Sequence, residues 1–205
     1  MKVRFFFDFG SPNAYLCHRV IPEIEARTGA DFVYEPVLLG GIFKLTGNQS
    51  PMMAFANIRN KPAYERLETE RFVRKHAISG FGPNPHFPVN TLQLMRGAVA
   101  AQQAGVFEAF VAQIYDDMWV RGRKMDDPEV YAASLVEAGL PKDEILQLAQ
   151  TDTVKGKLME NTQAAVDAGA FGSPSFLVGD ELFFGKDRLR EVEEEILAAR
   201  TNQPA

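Results

Sequence analysis

The sequence holds a single cysteine, Cys17. That excludes an internal disulfide and a Cys-x-x-Cys redox pair. Its three histidines, His18, His76 and His86, are dispersed. With one cysteine they do not compose a structural zinc site, and no metal is expected. No run reaches the roughly 18 consecutive apolar residues that a membrane-spanning helix needs. The first apolar run, Val3 to Phe7, is too short for a signal peptide and is interrupted by Asp8. Positive charge is not in excess: 22 Lys and Arg stand against 27 Asp and Glu, a net charge of −5, which argues against a nucleic-acid backbone as partner. The tail at 201–205 carries no lipidation or sorting signal. These absences lead to the expectation of a cytoplasmic protein with neither a membrane nor a nucleic acid as partner.

What is present is a core. Apolar residues make up 46% of the chain and charged residues 24%. That balance, over 205 residues, is that of one large globular domain or one domain carrying an insertion. Val3 to Phe7 reads as a buried strand. Gly10-Ser11-Pro12 opens a helix, with Ser11 as N-cap and Pro12 at the first helical position. Leu16, Val20 and Ile24 mark its apolar face, Pro22 lies inside it, and Gly29 ends it. Asp31 to Val37 is a second strand, which completes a β-α-β unit with parallel strands.

The stretch from Gly40 to about Pro88 reads as irregular apart from a charged helix around Ala63 to His76. Helices follow at about Thr91 to Gln103, Val106 to Trp119, Pro128 to Ala138 and Pro141 to Leu148, then from Thr151 or Asp152 to Gly169. Ser175 to Val178 and Glu181 to Phe184 form a hairpin across Gly179-Asp180. A last helix runs from about Asp187 to Ala199. The phrase Phe-Gly-Ser-Pro occurs at 9–12 and again at 171–174, with flanks that do not match, so the echo reads as coincidence.

Several chemistries are rejected on spacing. Ser11 and Ser173 lack the flanking glycines of a nucleophile elbow. His18 lies seven residues beyond Ser11, roughly 10 Å along a helix, too far to act as its base. Gly80-Phe81-Gly82 follows no strand, so it is not a phosphate loop. Ser11 itself sits where backbone N–H groups and the positive end of a helix converge, a place that lowers the pKa of a thiol brought against it. Read alone, Ser11-Pro12 is first of all a plain helix cap. Gly172-Ser173-Pro174 before a strand reads as an X-Pro turn or an ordinary strand entry, and Lys186-Asp187-Arg188 as a helix start.

Together these features are specific. Phe7-Asp8-Phe9-Gly10-Ser11-Pro12-Asn13-Ala14-Tyr15-Leu16, Phe171-Gly172-Ser173-Pro174-Ser175-Phe176 and Phe184-Gly185-Lys186-Asp187-Arg188-Leu189 resemble the DsbA-like branch of the thioredoxin fold. Within it they resemble the 2-hydroxychromene-2-carboxylate isomerases and kappa-class glutathione transferases. The resemblance implies an α/β thioredoxin-like fold with a large all-α insertion. It assigns 1–40 and 170–205 to the thioredoxin-like domain and 41–169 to the insertion. Ser11 and Ala14 stand where a redox pair would be, so dithiol exchange is excluded.

The resemblance further implies glutathione as cofactor, with Ser11 donating to its sulfur as the catalytic residue. Ser173 and Pro174 would pair with its backbone. Phe184, Gly185, Lys186 and Asp187 would hold its γ-glutamyl end, with Arg188 behind them. Lys44, Asn57, Arg59 and His86 would face a small aromatic substrate, whose isomerisation proceeds by reversible thiolate addition. His86 stands where the isomerase pattern has a tyrosine. Phe43, Met52, Met53, Phe55 and Phe81 read either as a pocket lining or as plain core. A homodimer is expected. The alternatives are a kappa-class transferase or peroxidase with the same glutathione site, a redox-inactive thioredoxin-like binding module, and a reductase using Cys17 alone.

Overall fold

Strand β1 (Lys2–Phe7) lies at the centre of a four-stranded sheet and is lined by Phe5, Phe6 and Phe7, all fully buried. In this computed structural model, which describes residues 1–201, the sheet order is β2-β1-β3-β4. The tail at 202–205 lies outside the described residues. Strand β2 (Asp31–Pro36) runs parallel to β1, with Val3 opposite Phe32 and Phe7 opposite Pro36. Parallel neighbours need a crossover, and α1 (Pro12–Thr28) supplies it. Strands β3 (Ser175–Val178) and β4 (Glu181–Phe184) form the hairpin, and β3 pairs antiparallel with β1, Phe5 opposite Phe176. The rings of Phe5 and Phe176 stack with centroids 5.0 Å apart. Each such buried side chain contributes roughly 1.5–3 kcal/mol by leaving water.

Helix α1 starts at Ser11, whose backbone is extended and whose oxygen accepts the Ala14 N–H. It continues through Pro22 and ends at Gly29 in the left-handed conformation (φ +65°), with the Gly29 N–H on the Glu25 carbonyl. Between β2 and β3 come α2 (Leu39–Thr46), α3 (Pro51–Ala54), α4 (Lys61–Lys75), α5 (Leu92–Gln103), α6 (Phe107–Trp119), α7 (Pro128–Glu137), α8 (Lys142–Leu148) and α9 (Asp152–Asp167). Asp127 and Thr151 cap α7 and α9 through their side chains. The charged helix α4 buries none of its side chains. A 3-10 turn (Lys186–Arg188) leads into α10 (Leu189–Thr201).

The fold is thus the α/β thioredoxin-like arrangement with a helical insertion. The stretch 40–88 departs from the irregular reading. It contains α2 and α3 besides α4. Helix α2 carries Gly40 and Gly41 in its first turn and has no side-chain cap of its own, so no local signal marks it. Its start is held from elsewhere, by Asp8 and Thr162, which accept the N–H groups of Leu39 and Leu38. Met52 and Met53, on α3, are 57% and 68% exposed and are not core. The last helix begins two residues later than expected, because the 3-10 turn takes up Lys186–Arg188.

Candidate active site

The two Phe-Gly-Ser-Pro segments meet. The Ser11 hydroxyl donates to the Ser173 carbonyl oxygen at 2.8 Å. The Ser173 hydroxyl in turn donates to the Phe6 carbonyl at 3.3 Å and accepts the Asp8 N–H at 3.2 Å. The start of α1 and the entry to β3 are therefore clasped by side chain and backbone from both sides. The Ser173-Pro174 peptide bond is cis. Ser11 and Ser173 are both buried, and Ser11 N–H closes the turn on the Asp8 carbonyl at 3.0 Å. At the helix end the Asn13 N–H has no hydrogen-bond partner among the described residues, so it adds to the positive potential there.

Asp8 organises this turn, and the sequence reading assigned it no role. One carboxylate oxygen accepts the Gly10 N–H and the other the Leu39 N–H, each at 2.8 Å. Complete burial pushes its carboxyl above the ordinary range, and the bonds from Leu39, Gly10 and Thr91 pull the other way. The signal available in the sequence was an isolated acid inside Phe5-Phe6-Phe7-Asp8-Phe9. A buried acid in such a run needs several donors. Trp119 supports the same turn, its indole N–H donating to the Phe9 carbonyl at 2.8 Å.

The hairpin end joins this arrangement through the Gly185 N–H, which donates to the Pro174 carbonyl at 3.0 Å. Gly185 has φ +95°, a conformation open to glycine. The Phe184 ring lies against Phe171, centroids 4.5 Å apart, and over Gly172. A Cβ on Gly172 would meet the Phe184 ring at 2.7 Å, so glycine is required for that contact. Lys186 is 5% exposed and bonds Asp187 at 2.6 Å. Its ammonium stands 5.4 Å from the Phe72 ring centroid of α4. Arg188 points elsewhere, into a 3.0 Å pair with Glu191.

The structure thus brings Ser11, Ser173, Pro174 and Gly185 into one connected group, with Phe184, Lys186 and Asp187 adjoining it. Lys44, Asn57, Arg59 and His86 are exposed and make no side-chain hydrogen bond or ion pair among the described residues. Lys44 is on α2, whose start is tied to Asp8. Just beyond α2, Asn48 donates to the Phe171 carbonyl at 2.7 Å. The helix carrying Lys44 is therefore anchored at both ends to the Ser11 and Ser173 segments. Asn57 and Arg59 lie between α3 and α4, and His86 lies in the loop before α5. That loop is ordered by Asn84, which donates to the carbonyls of Met118 and Arg123 and accepts the His86 N–H. Phe81 stacks on Tyr15 at 5.7 Å.

Cys17 is fully buried, and burial pushes its thiol well above the ordinary value. An attacking thiolate needs access and a low pKa, so the reading of a reductase working through Cys17 is withdrawn. His18 is mostly buried, which with Arg19 lowers its pKa to about 4. It stacks on Tyr115 and shares a 2.8 Å hydrogen bond with Tyr34. Among the described residues no cluster of His, Cys, Asp and Glu suits a metal ion, and no helix is long and apolar enough to cross a membrane.

A profile of the DSBA-like thioredoxin domain matches residues 2–197. The chain is 26% identical to a 2-hydroxychromene-2-carboxylate isomerase of Sphingobium xenophagum, over 95% of this chain and 97% of that protein. It is also 26% identical to glutathione S-transferase kappa 1 of Rattus norvegicus, over 90% of this chain and 85% of that protein. A solved 2-hydroxychromene-2-carboxylate isomerase superposes with a TM-score of 0.82 at 23% identity, over 98% of both chains. The cytosolic disulfide reductase DsbM from Pseudomonas aeruginosa, solved with GSH, superposes with a TM-score of 0.62 at 15% identity, over 98% of both chains.

Proposed function

The chain belongs to the DSBA-like thioredoxin domain family, and within it we propose a glutathione-dependent isomerase acting on 2-hydroxychromene-2-carboxylate-type aromatic substrates. The observation that carries the reading is the Ser11 hydroxyl at the N-terminus of α1, held against the Ser173 backbone. The donor set fits glutathione: a hydroxyl and a helix end for a sulfur anion, a backbone edge for a peptide, and a cation beside a carboxylate for a zwitterionic end. When bound, glutathione supplies a thiolate whose reversible addition to a conjugated double bond permits rotation about it.

The residues of the chain bind and orient. Ser11 donates to the sulfur, and the N-terminus of α1 favours negative charge there. The Ser173 N–H and C=O, next to Pro174, take the peptide backbone as an added strand. Phe184 and Gly185 border the γ-glutamyl end, where Lys186 receives its carboxylate and Asp187 its ammonium. Arg188 lies behind them. Lys44 holds the substrate carboxylate, with Asn57, Arg59 and His86 around it. In the same reading 1–40 with 170–205 is the thioredoxin-like domain, 41–169 is the inserted domain, and the protein is a cytoplasmic homodimer.

A second reading is the kappa-class transferase or peroxidase, favoured by the equal identity to the rat enzyme. It uses the same glutathione residues on a different electrophile.

Calorimetric titration of glutathione into wild type and Ser11→Ala, with an ultraviolet difference spectrum, tests the proposal. The expected result is binding to both proteins, with thiolate absorbance near neutral pH in the wild type alone. No binding at millimolar glutathione overturns it and leaves the redox-inactive binding module.

A further inference from the structure

Helices α1, α4 and α10 border a cleft of about 380 Å³ that runs away from Ser11. Val20 and Ile24, in its lining, lie nine and thirteen residues beyond Ser11, roughly 13 and 20 Å along α1. Leu189 and Phe72 complete the apolar lining. The charged lining is five cations against three acids, in a chain of net charge −5. The acids are already engaged: Glu68 with Arg71, Glu193 with Arg27 and Asp187 with Lys186. Arg190 pairs with Glu194, which is not part of the lining, and Lys75 has no ion pair among the described residues. Lys186 is the residue that marks a ligand. It is 5% exposed, and its ammonium has three donors but one acceptor, Asp187 at 2.6 Å. The Phe72 ring, 5.4 Å away, is a weak substitute for the others. A buried charge with uncommitted donors calls for an acceptor.

We propose that this cleft is a second ligand site, which takes an organic anion with an apolar body: an aromatic or aliphatic carboxylate or sulfonate. The anionic group bonds Lys186 and pairs with Lys75, and the body lies on Val20, Ile24, Leu189 and Phe72. The Lys186 ammonium has a donor for each role: one on Asp187, one for the γ-glutamyl carboxylate and one for this anion. The two ligands are therefore bound together, not in exchange. The α4 wall of the cleft can yield. Its ion pairs, Lys61 with Glu65 and Arg71 with Glu68, are internal to the helix. Among the described residues no α4 side chain bonds another element through a hydrogen bond or an ion pair. Phe72 and Val73 pack it against the core. Asn60 before α4 and Ala77 after it sit in the left-handed region, at φ +72° and +49°, with a steric cost to a side chain. The helix thus shifts to admit a ligand without breaking a hydrogen bond or an ion pair to the rest of the protein.

The probe is 8-anilinonaphthalene-1-sulfonate, whose fluorescence rises on leaving water. Its neutral counterpart, N-phenyl-1-naphthylamine, has the same body and no sulfonate. Both are titrated into wild type, Lys186→Met and Lys75→Gln. Lys186→Met exchanges a buried charge for an apolar chain of similar length, and Lys75 is exposed, so both variants should fold. The expected result is one saturable sulfonate site, weakened about tenfold in Lys186→Met and about threefold in Lys75→Gln, with the neutral compound bound no more weakly by either variant. Lys157→Gln, in the groove between α5 and α9, should leave the sulfonate affinity unchanged. Equal sulfonate affinity in wild type and both cleft variants overturns the inference. So does a neutral compound bound as tightly as the sulfonate by wild type. The titration is then repeated with S-methylglutathione at saturation. Sulfonate binding should persist. One-for-one displacement would show that the cleft is only the outer end of the thiol site, and overturns the inference.

Discussion

The carboxylate of Asp8 accepts the backbone N–H of Leu39 at 2.8 Å, across 31 residues of chain. Its other oxygen accepts the Gly10 N–H. A single buried side chain thus joins the turn that presents Ser11 to the first turn of the helix that bears Lys44. Asp8→Ala removes both acceptors and leaves two N–H groups without protein partners. The expected loss is about 2–4 kcal/mol of unfolding free energy, measured by urea denaturation. A loss under about 0.5 kcal/mol would show that water satisfies these groups.

His18 gives the stability a defined pH dependence. Its pKa falls from the ordinary 6.5 to about 4 in the folded chain, chiefly by burial. Between those values the unfolded chain binds the extra proton. Stability therefore rises with pH from about 4 to about 6.5, and is lost again on acidification through the same window. The full effect is about 3 kcal/mol. Followed from pH 7 to pH 4, the urea midpoint of the wild type should fall relative to that of His18→Gln, which lacks the titrating group.

Gly97 is required by packing. A Cβ there would overlap the Tyr131 hydroxyl and come within 2.8 Å of Phe110 Cζ. Both rings are buried. Gly97→Ala is expected to destabilise by about 1–3 kcal/mol, against the gain that the same change brings in an open helix. Gly156, in α9 with nothing within 4 Å of its Cβ position, is the control: Gly156→Ala should raise the thermal midpoint.

Lys44 separates the two enzymatic readings. With a carboxylate substrate, Lys44→Gln is expected to raise KM about tenfold or more. With a neutral electrophile it should leave kcat/KM unchanged. Equal effects on both would place Lys44 outside substrate recognition.

Local signals made most of the element order legible. Ser11, Asp127 and Thr151 are caps whose oxygens bond N–H groups two or three residues on, so the sequence window contains the whole interaction. Gly29 closes α1 and Gly179 turns the hairpin in the left-handed region, which glycine enters without the steric cost of a Cβ. The first β-α-β unit follows from these, because a strand, a capped helix and a second strand leave a parallel pairing as the outcome. The group formed by Ser11, Ser173, Pro174 and Gly185 was reachable through family resemblance and not through spacing, since its members lie more than 160 residues apart at the widest serine contact.

The caps, the breaks, the apolar faces and the absence of a dithiol are properties of a few neighbouring residues and were legible in the chain alone. The tertiary structure decided the rest. Helix α2 exists because Asp8 and Thr162 satisfy its first N–H groups from distant positions. Met52 and Met53 stay exposed because α3 is one short turn resting outside the core. The repeated Phe-Gly-Ser-Pro segments became a clasp because β3 pairs with β1 and sets Ser173 beside Ser11. Hydrogen-bond satisfaction and close packing are conditions on the whole chain, and no window of residues contains them.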